Sequence, residues 1–159
     1  MTSPAIGARE WLELFELVTE VAVAGDEHDS ERYVSHFVED AVVDHHDAGP
    51  LDAYWGAQAT LDRVVGKQAI REHRSRIPRL PVRSHLVSNF RVLEVGETSF
   101  HTEFVASVIT PDRAYPPVLR MSTVIDRMER GNDERLRIVE RHIYFHSAGR
   151  LPHHEPTRR

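Results

Sequence analysis

The second half of this chain is built for long strands. About Arg83 to Val95, Thr98 to Thr110, Val118 to Met128 and Leu136 to His146 each have strand composition over ten or more residues. Gly96-Glu97, Pro111 to Pro117 and Gly131-Asn132-Asp133 separate them as turns. Such spacing predicts a four-stranded antiparallel meander. Strands this long twist and coil, so the sheet is expected to curl strongly.

The first half has the period of helices instead. From about Ile6 to Ala24, Trp11, Leu14, Phe15, Val18, Val21 and Ala22 fall on one stripe, with Glu10, Glu13, Glu16 and Glu20 mostly off it. Gly25 suits the end of that helix. Asp29 or Ser30 can cap a short second helix whose Tyr33, Val34 and Phe37 face inward. Ala41 to His46 reads as a short strand, Asp47 to Leu61 as a loop, and Gly66 to Ile77 as a third helix. Tyr54 and Trp55 in that loop can form a lid or plug an edge of the core. Helices followed by a meander give an α+β fold. A sheet curled around three helices encloses a conical cavity.

At 159 residues the chain is long enough for one core. A single domain over residues 1–150 is expected, with 151–159 as a flexible tail. The 40% hydrophobic and 28% charged composition is globular. Absence of cysteine excludes a thiolate nucleophile, a disulfide framework and a cysteine metal site. The glutamates and Arg9 within the first 25 residues argue against a signal peptide or membrane span, which makes the cytoplasm the default. Net charge is −5, and the densest basic cluster, Arg71 to Arg83, lacks interleaved stacking aromatics. Neither nucleic acid nor a membrane is therefore an expected partner.

Several phrases, taken in order, resemble the nuclear-transport-factor-2-like (NTF2-like) superfamily, and within it the SnoaL-like branch. Phe37-Val38-Glu39-Asp40-Ala41-Val42-Val43 resembles its helix-to-strand phrase, and Gly66-Lys67-Gln68-Ala69-Ile70 its third-helix opening. Ser84-His85-Leu86-Val87-Ser88-Asn89 resembles the first long strand. Leu136-Arg137-Ile138 with Arg141-His142-Ile143 resembles the last. The resemblance implies an α+β cone, often a homodimer formed through the outer face of the sheet. It spans dehydratases, isomerases, cyclases and non-catalytic subunits, so function must come from the site.

Similarity to the dehydrochlorinase and scytalone-dehydratase members implies that Asp26 orients His85 at the head of a strand. A carboxylate on one ring nitrogen fixes the tautomer and leaves the other nitrogen as a base. The plainer alternative makes Asp26 a solvated loop carboxylate and His85 a strand-end histidine bonded to backbone. His45 falls near the position of the steroid isomerases' catalytic aspartate, and Asp126 near their oxyanion-hole acid. Asp126 can equally form a surface pair with neighbours of Arg127. If the last strand alternates strictly from Leu136 and Ile138, then Glu140, His142, Tyr144 and His146 face the core, and Tyr144 becomes a hydroxyl donor to substrate. Asn89 shares a face with His85 if no bulge intervenes.

A metal is not expected, despite 11 histidines. His45 and His46 point to opposite faces of a strand. His142 and His146 share a face but stand ~13 Å apart at ~3.3 Å per residue. No His-Glu-x-x-His occurs, and His153-His154 lies in the tail. His45 with Asp47 is the remaining pairing. No glycine-rich phosphate loop or nucleophile-elbow serine is present. Arg120 and Asp126 do not reproduce an epoxide-hydrolase Asp-Arg-Asp set. The expectation is cofactor-free acid-base chemistry, elimination or isomerisation, on a small organic substrate. A ligand-binding protein, or a partner subunit similar to the small subunit of ring-hydroxylating dioxygenases, is the rival.

Overall fold

The computed structural model describes residues 6–46, 63–77, 84–110 and 118–146. The chain runs through helix α1 (Ala8–Asp26), helix α2 (Ser30–Ser35), strand β1 (Phe37–His46), the short strand β2 (Val64–Val65) and helix α3 (Lys67–Arg76). Strands β3 (Ser84–Val95), β4 (Ser99–Thr110), β5 (Val118–Arg130) and β6 (Leu136–Phe145) complete it. The expected meander is present and lies within a larger sheet ordered β2-β1-β6-β5-β4-β3. β1 joins parallel to β6, pairing Asp44 with His142 and His46 with Tyr144. The stretch expected as a loop from Asp47 to Leu61, with Tyr54 and Trp55, and the tail at 151–159 lie outside the described residues.

The apolar stripe of α1 packs against the concave side of the sheet. Leu14, Val18, Val21 and Ala24 are almost fully buried there, with Phe100, Phe104, Val124, Met128 and Ile138 from the strands. Burial of this kind is the main favourable term in folding. Phe37 does not close α2, as its inward position suggested. It opens β1, fully buried, and stacks on Tyr33 at 5.3 Å between ring centroids. The Asp29 carboxylate caps α2 by accepting the Arg32 N–H at 2.9 Å.

Among the irregularities of the sheet, a bulge on β6 and one on β3 change which side chains face the cavity. On β6, Arg127 pairs with Glu140 but Met128 with Ile138, which leaves Val139 as an extra residue. Ile138 and Arg141, three apart, therefore both point inward. On β3, Ser88 pairs with Val105 and Arg91 with Glu103, so one residue is extra between them. Asn89 absorbs the strain with φ of 53°, in the left-handed region that asparagine tolerates. The bulge turns Phe90 onto α1, edge-on to Phe15 and Trp11 at 5.4 Å from each.

Gly25 also differs from expectation. The helix continues through it to Asp26, so it is not a left-handed cap. A Cβ at this position would stand 3.0 Å from Arg74 Nη2, and glycine allows the guanidinium to approach.

We predict that Phe37→Ala costs ~3–5 kcal/mol in denaturant unfolding. Leu86→Ala, at a side chain 51% exposed, should shift stability by no more than ~0.5 kcal/mol.

Candidate functional site

Asp26, the last residue of α1, grips the start of β3 with both carboxylate oxygens. Oδ2 accepts the backbone N–H of His85 at 2.8 Å, and Oδ1 accepts from ring Nδ1 at 2.5 Å. Both side chains are more than four-fifths buried. An ionised carboxylate is an acceptor only, so the Nδ1 contact places the ring proton on Nδ1. In the neutral ring Nε2 then carries the lone pair. The imidazole lines the cavity inside the sheet.

That cavity encloses about 150 Å³. Its wall is mostly aliphatic and aromatic, from Val18 and Val21 on α1 to Phe104 and Val124 on the sheet. Polar groups converge on it from four elements: His85 from β3, His45 from β1, His73 and Arg74 from α3, and Arg141 from β6. An apolar pocket with a few convergent polar groups is the usual form of a small-molecule site.

The two arginines differ in kind. Arg141 makes a two-pronged pair with fully buried Asp126, Nε to Oδ1 at 2.8 Å and Nη2 to Oδ2 at 2.7 Å. Burial alone would lower the Arg141 pKa. The Asp126 charge and hydrogen bonds, helped by Tyr33, outweigh it and hold the guanidinium firmly charged. Arg74 donates to the Gly25 carbonyl at 3.0 Å and lies over the Tyr33 ring, 4.5 Å from its centroid. Among the described residues no carboxylate pairs with it. Burial pushes its pKa down from the usual arginine value; the Arg141 charge adds to the effect, while Tyr33 and the Asp26 charge oppose it. Among the described residues, the wall thus carries one cation bonded to a buried carboxylate and one that is not.

The remaining candidates fall as follows. His45 lines the cavity, its ring 5.3 Å from His73 and stacked on Phe145. Tyr144 is not in the wall. The Val139 bulge inverts the alternation, so Arg141, Ile143 and Phe145 face inward, and Tyr144 stacks on His46 across the outer face at 4.4 Å. Asn89 is exposed at its own bulge and does not share the face of His85. Asp126 neither contacts the cavity nor pairs at the surface; it lies behind Arg141. Arg127 bonds to Glu129 and Glu140 instead. Asp47, the alternative metal partner of His45, lies outside the described residues, as do Tyr54 and Trp55.

Sequence reasoning missed His73, Arg74 and Arg141 as wall residues. A signal existed for the first two: Ile70, His73, Arg74 and Ile77 follow i, i+3, i+4, i+7, so two basic side chains sit on the buried stripe of α3. Arg141 had no such signal, because only the bulge turns it inward.

No family profile matches the sequence, and no curated protein matches it. Solved structures do match the fold. An NTF2-like protein with a cystatin-like fold from Novosphingobium aromaticivorans superimposes with a TM-score of 0.66 at 18% identity, over 88% of this chain and 82% of that one. The fold is NTF2-like. A Nostoc punctiforme protein of unknown function with a cystatin-like fold gives 0.70 at 18% identity, covering 90% of this chain and 96% of that one. ActVI-ORFA from Streptomyces coelicolor gives 0.70 at 18%, covering 87% and 98%. Identities this low establish the NTF2-like architecture alone.

Within that cone the Asp126–Arg141 pair should behave as a buried ion pair. Asp126→Leu strands the Arg141 charge and should cost ~3–5 kcal/mol in chemical denaturation. Adding Arg141→Met to it should recover most of the loss.

Proposed function

We propose that the cavity is the active site of a cofactor-independent acid-base enzyme, a lyase of the dehydratase type or an isomerase, acting on a small organic molecule. The observation that carries this reading is the two-oxygen grip of Asp26 on His85 at the wall of an apolar cavity. His85 Nε2 takes a proton from a carbon next to a carbonyl. Asp26 holds the tautomer and stabilises the imidazolium that forms. The developing enolate oxygen needs a donor, and the Arg74 guanidinium is the group suited to it, charged and without a carboxylate partner among the described residues. From the enolate, either a β-substituent leaves with protonation by His85, or the proton returns to a different carbon. The first course is elimination, the second isomerisation. His45 and His73 supply further polar contacts to substrate.

The residues support this reading better than a structural one. A histidine needed only to end a strand would be served by its backbone bond. Here the carboxylate also takes the ring, and does so in a cavity whose wall carries the Arg74 cation. Base catalysis of this form accounts for ~10²–10⁴-fold in rate.

The test reads proton abstraction itself, whatever the product. A panel of cyclic ketones and β-hydroxy carbonyl compounds is incubated with the protein in D₂O, and deuterium uptake at the α-carbon is followed by mass spectrometry. Exchange with at least one class is expected, reduced by ~10²-fold or more in His85→Ala and by a smaller factor in Asp26→Asn, with the His85 variant less stable but still folded at the assay temperature. Exchange that persists in His85→Ala contradicts the assignment. Binding of panel members without exchange favours the ligand-binding alternative.

A further inference from the structure

A second cluster lies on the opposite side of the sheet from the cavity. Asp44 and His46, two apart on β1, project to the outer face, while His45 between them lines the cavity. The parallel register sets Asp44 beside His142 on β6, and the Val139 bulge turns His142 to the same outer face. One ligand atom from each of Asp44, His46 and His142 lies within 4.8 Å of the other two. Among the described residues it is the one cluster with such spacing.

We propose that Asp44, His46 and His142 form a binding site for a divalent first-row transition ion of the zinc type. This site is independent of the cavity and of the reading given to it. The geometry is that of a nearly closed coordination sphere. Zinc–nitrogen bonds of ~2.0–2.1 Å at a tetrahedral centre set neighbouring ligand atoms about 3.3 Å apart. His46 Nε2 and His142 Nδ1 are 3.2 Å apart, and Asp44 Oδ2 is 3.9 Å from His46 Nε2. A small rotation of the Asp44 side chain completes three ligands.

The surroundings are those of a supported site. Glu140 Oε2 stands 3.8 Å from His142 Nε2, the nitrogen not facing the cluster, and Arg127 holds that carboxylate. A carboxylate that closes to hydrogen-bond distance behind a ligating histidine fixes its tautomer and raises its basicity, and a small side-chain rotation would bring Glu140 there. His46 stacks on the ring of Tyr144 and lies near-parallel to that of His142, which restricts its plane. All three ligands are partly buried, between 18% and 32% exposed, which leaves room for water as a fourth ligand. One cation competes: Arg63 Nη1 lies 3.8 Å from Asp44 Oδ2, but this arginine is 63% exposed and readily displaced. Two imidazoles and one carboxylate suit zinc, cobalt or nickel better than magnesium or calcium.

The expectation of no metal weighed pairs within single strands, and His45 and His46 do point apart. The partner of His46 comes from the far end of the chain.

The test uses the full, untagged chain. Zn²⁺ is titrated by calorimetry, and Co²⁺ by the visible absorption of tetrahedral cobalt. One equivalent of either ion should bind, weakened at least tenfold in His142→Ala and in the nearly isosteric Asp44→Asn. Replacing the tail pair, His153→Ala/His154→Ala, should leave the stoichiometry unchanged. Absence of one-equivalent uptake of either ion overturns the proposal. So does uptake unaffected by both cluster substitutions, or uptake lost with the tail pair.

Discussion

The Asp26 carboxylate is the point on which the functional half of the molecule turns. It ends α1 and begins β3 at once, accepting from the backbone and the ring of His85. A carboxylate this far from water is tolerable only because both oxygens accept hydrogen bonds. One residue earlier, the Gly25 carbonyl accepts from Arg74 on α3. The last turn of α1 therefore positions two cavity groups, a base and a cation, on a rigid element rather than on a loop. Sites built this way hold their geometry within narrow limits.

The cavity wall is organised by where positive charge is neutralised. Asp126 and Arg141 lie side by side on β5 and β6 and are almost wholly buried. A buried pair contributes little net stability, because desolvation offsets most of the attraction. Its effect is to place Arg141 and to cancel its charge. Arg74 has no such partner among the described residues and keeps its charge toward the cavity. An anion, or a group becoming one, is the species such a wall favours. The outer face has a different electrostatic character, with Asp44, His46 and His142 gathered where β1 and β6 run parallel.

The legible parts of the fold were those written in long runs. The α1 stripe and the four meander strands follow from period and length, and the observed boundaries fall within a residue or two of those expected; the turn expected at Pro111 to Pro117 lies outside the described residues. Phrases at Phe37, Gly66, Ser84 and Leu136 added the α+β cone. The parallel placement of β1 against β6 is a long-range pairing that no local pattern encodes. The misplacements of Tyr144 and Asn89 share one cause. A bulge adds a single residue, and with a period of two one residue exchanges the faces for everything beyond it. Nothing in Ile138-Val139-Glu140 announces the slip; the packing of Ile138 and the buried pairing of Arg141 select it. Asp26 and His85, 59 residues apart in sequence, were brought together by resemblance rather than by local pattern. His73 and Arg74 were within reach of helical periodicity, hidden in a run rich in arginine.

The most direct measurement of the central claim is the tautomer of His85. Long-range ¹⁵N–¹H correlation spectra of the ¹⁵N-labelled protein, recorded above the pH at which imidazoles protonate, report which ring nitrogen carries hydrogen. The account predicts a single neutral species with the proton on Nδ1 and the lone pair on Nε2, and loss of that preference in Asp26→Ala. A His85 ring protonated on Nε2, or one averaging between tautomers in the unaltered protein, would contradict it.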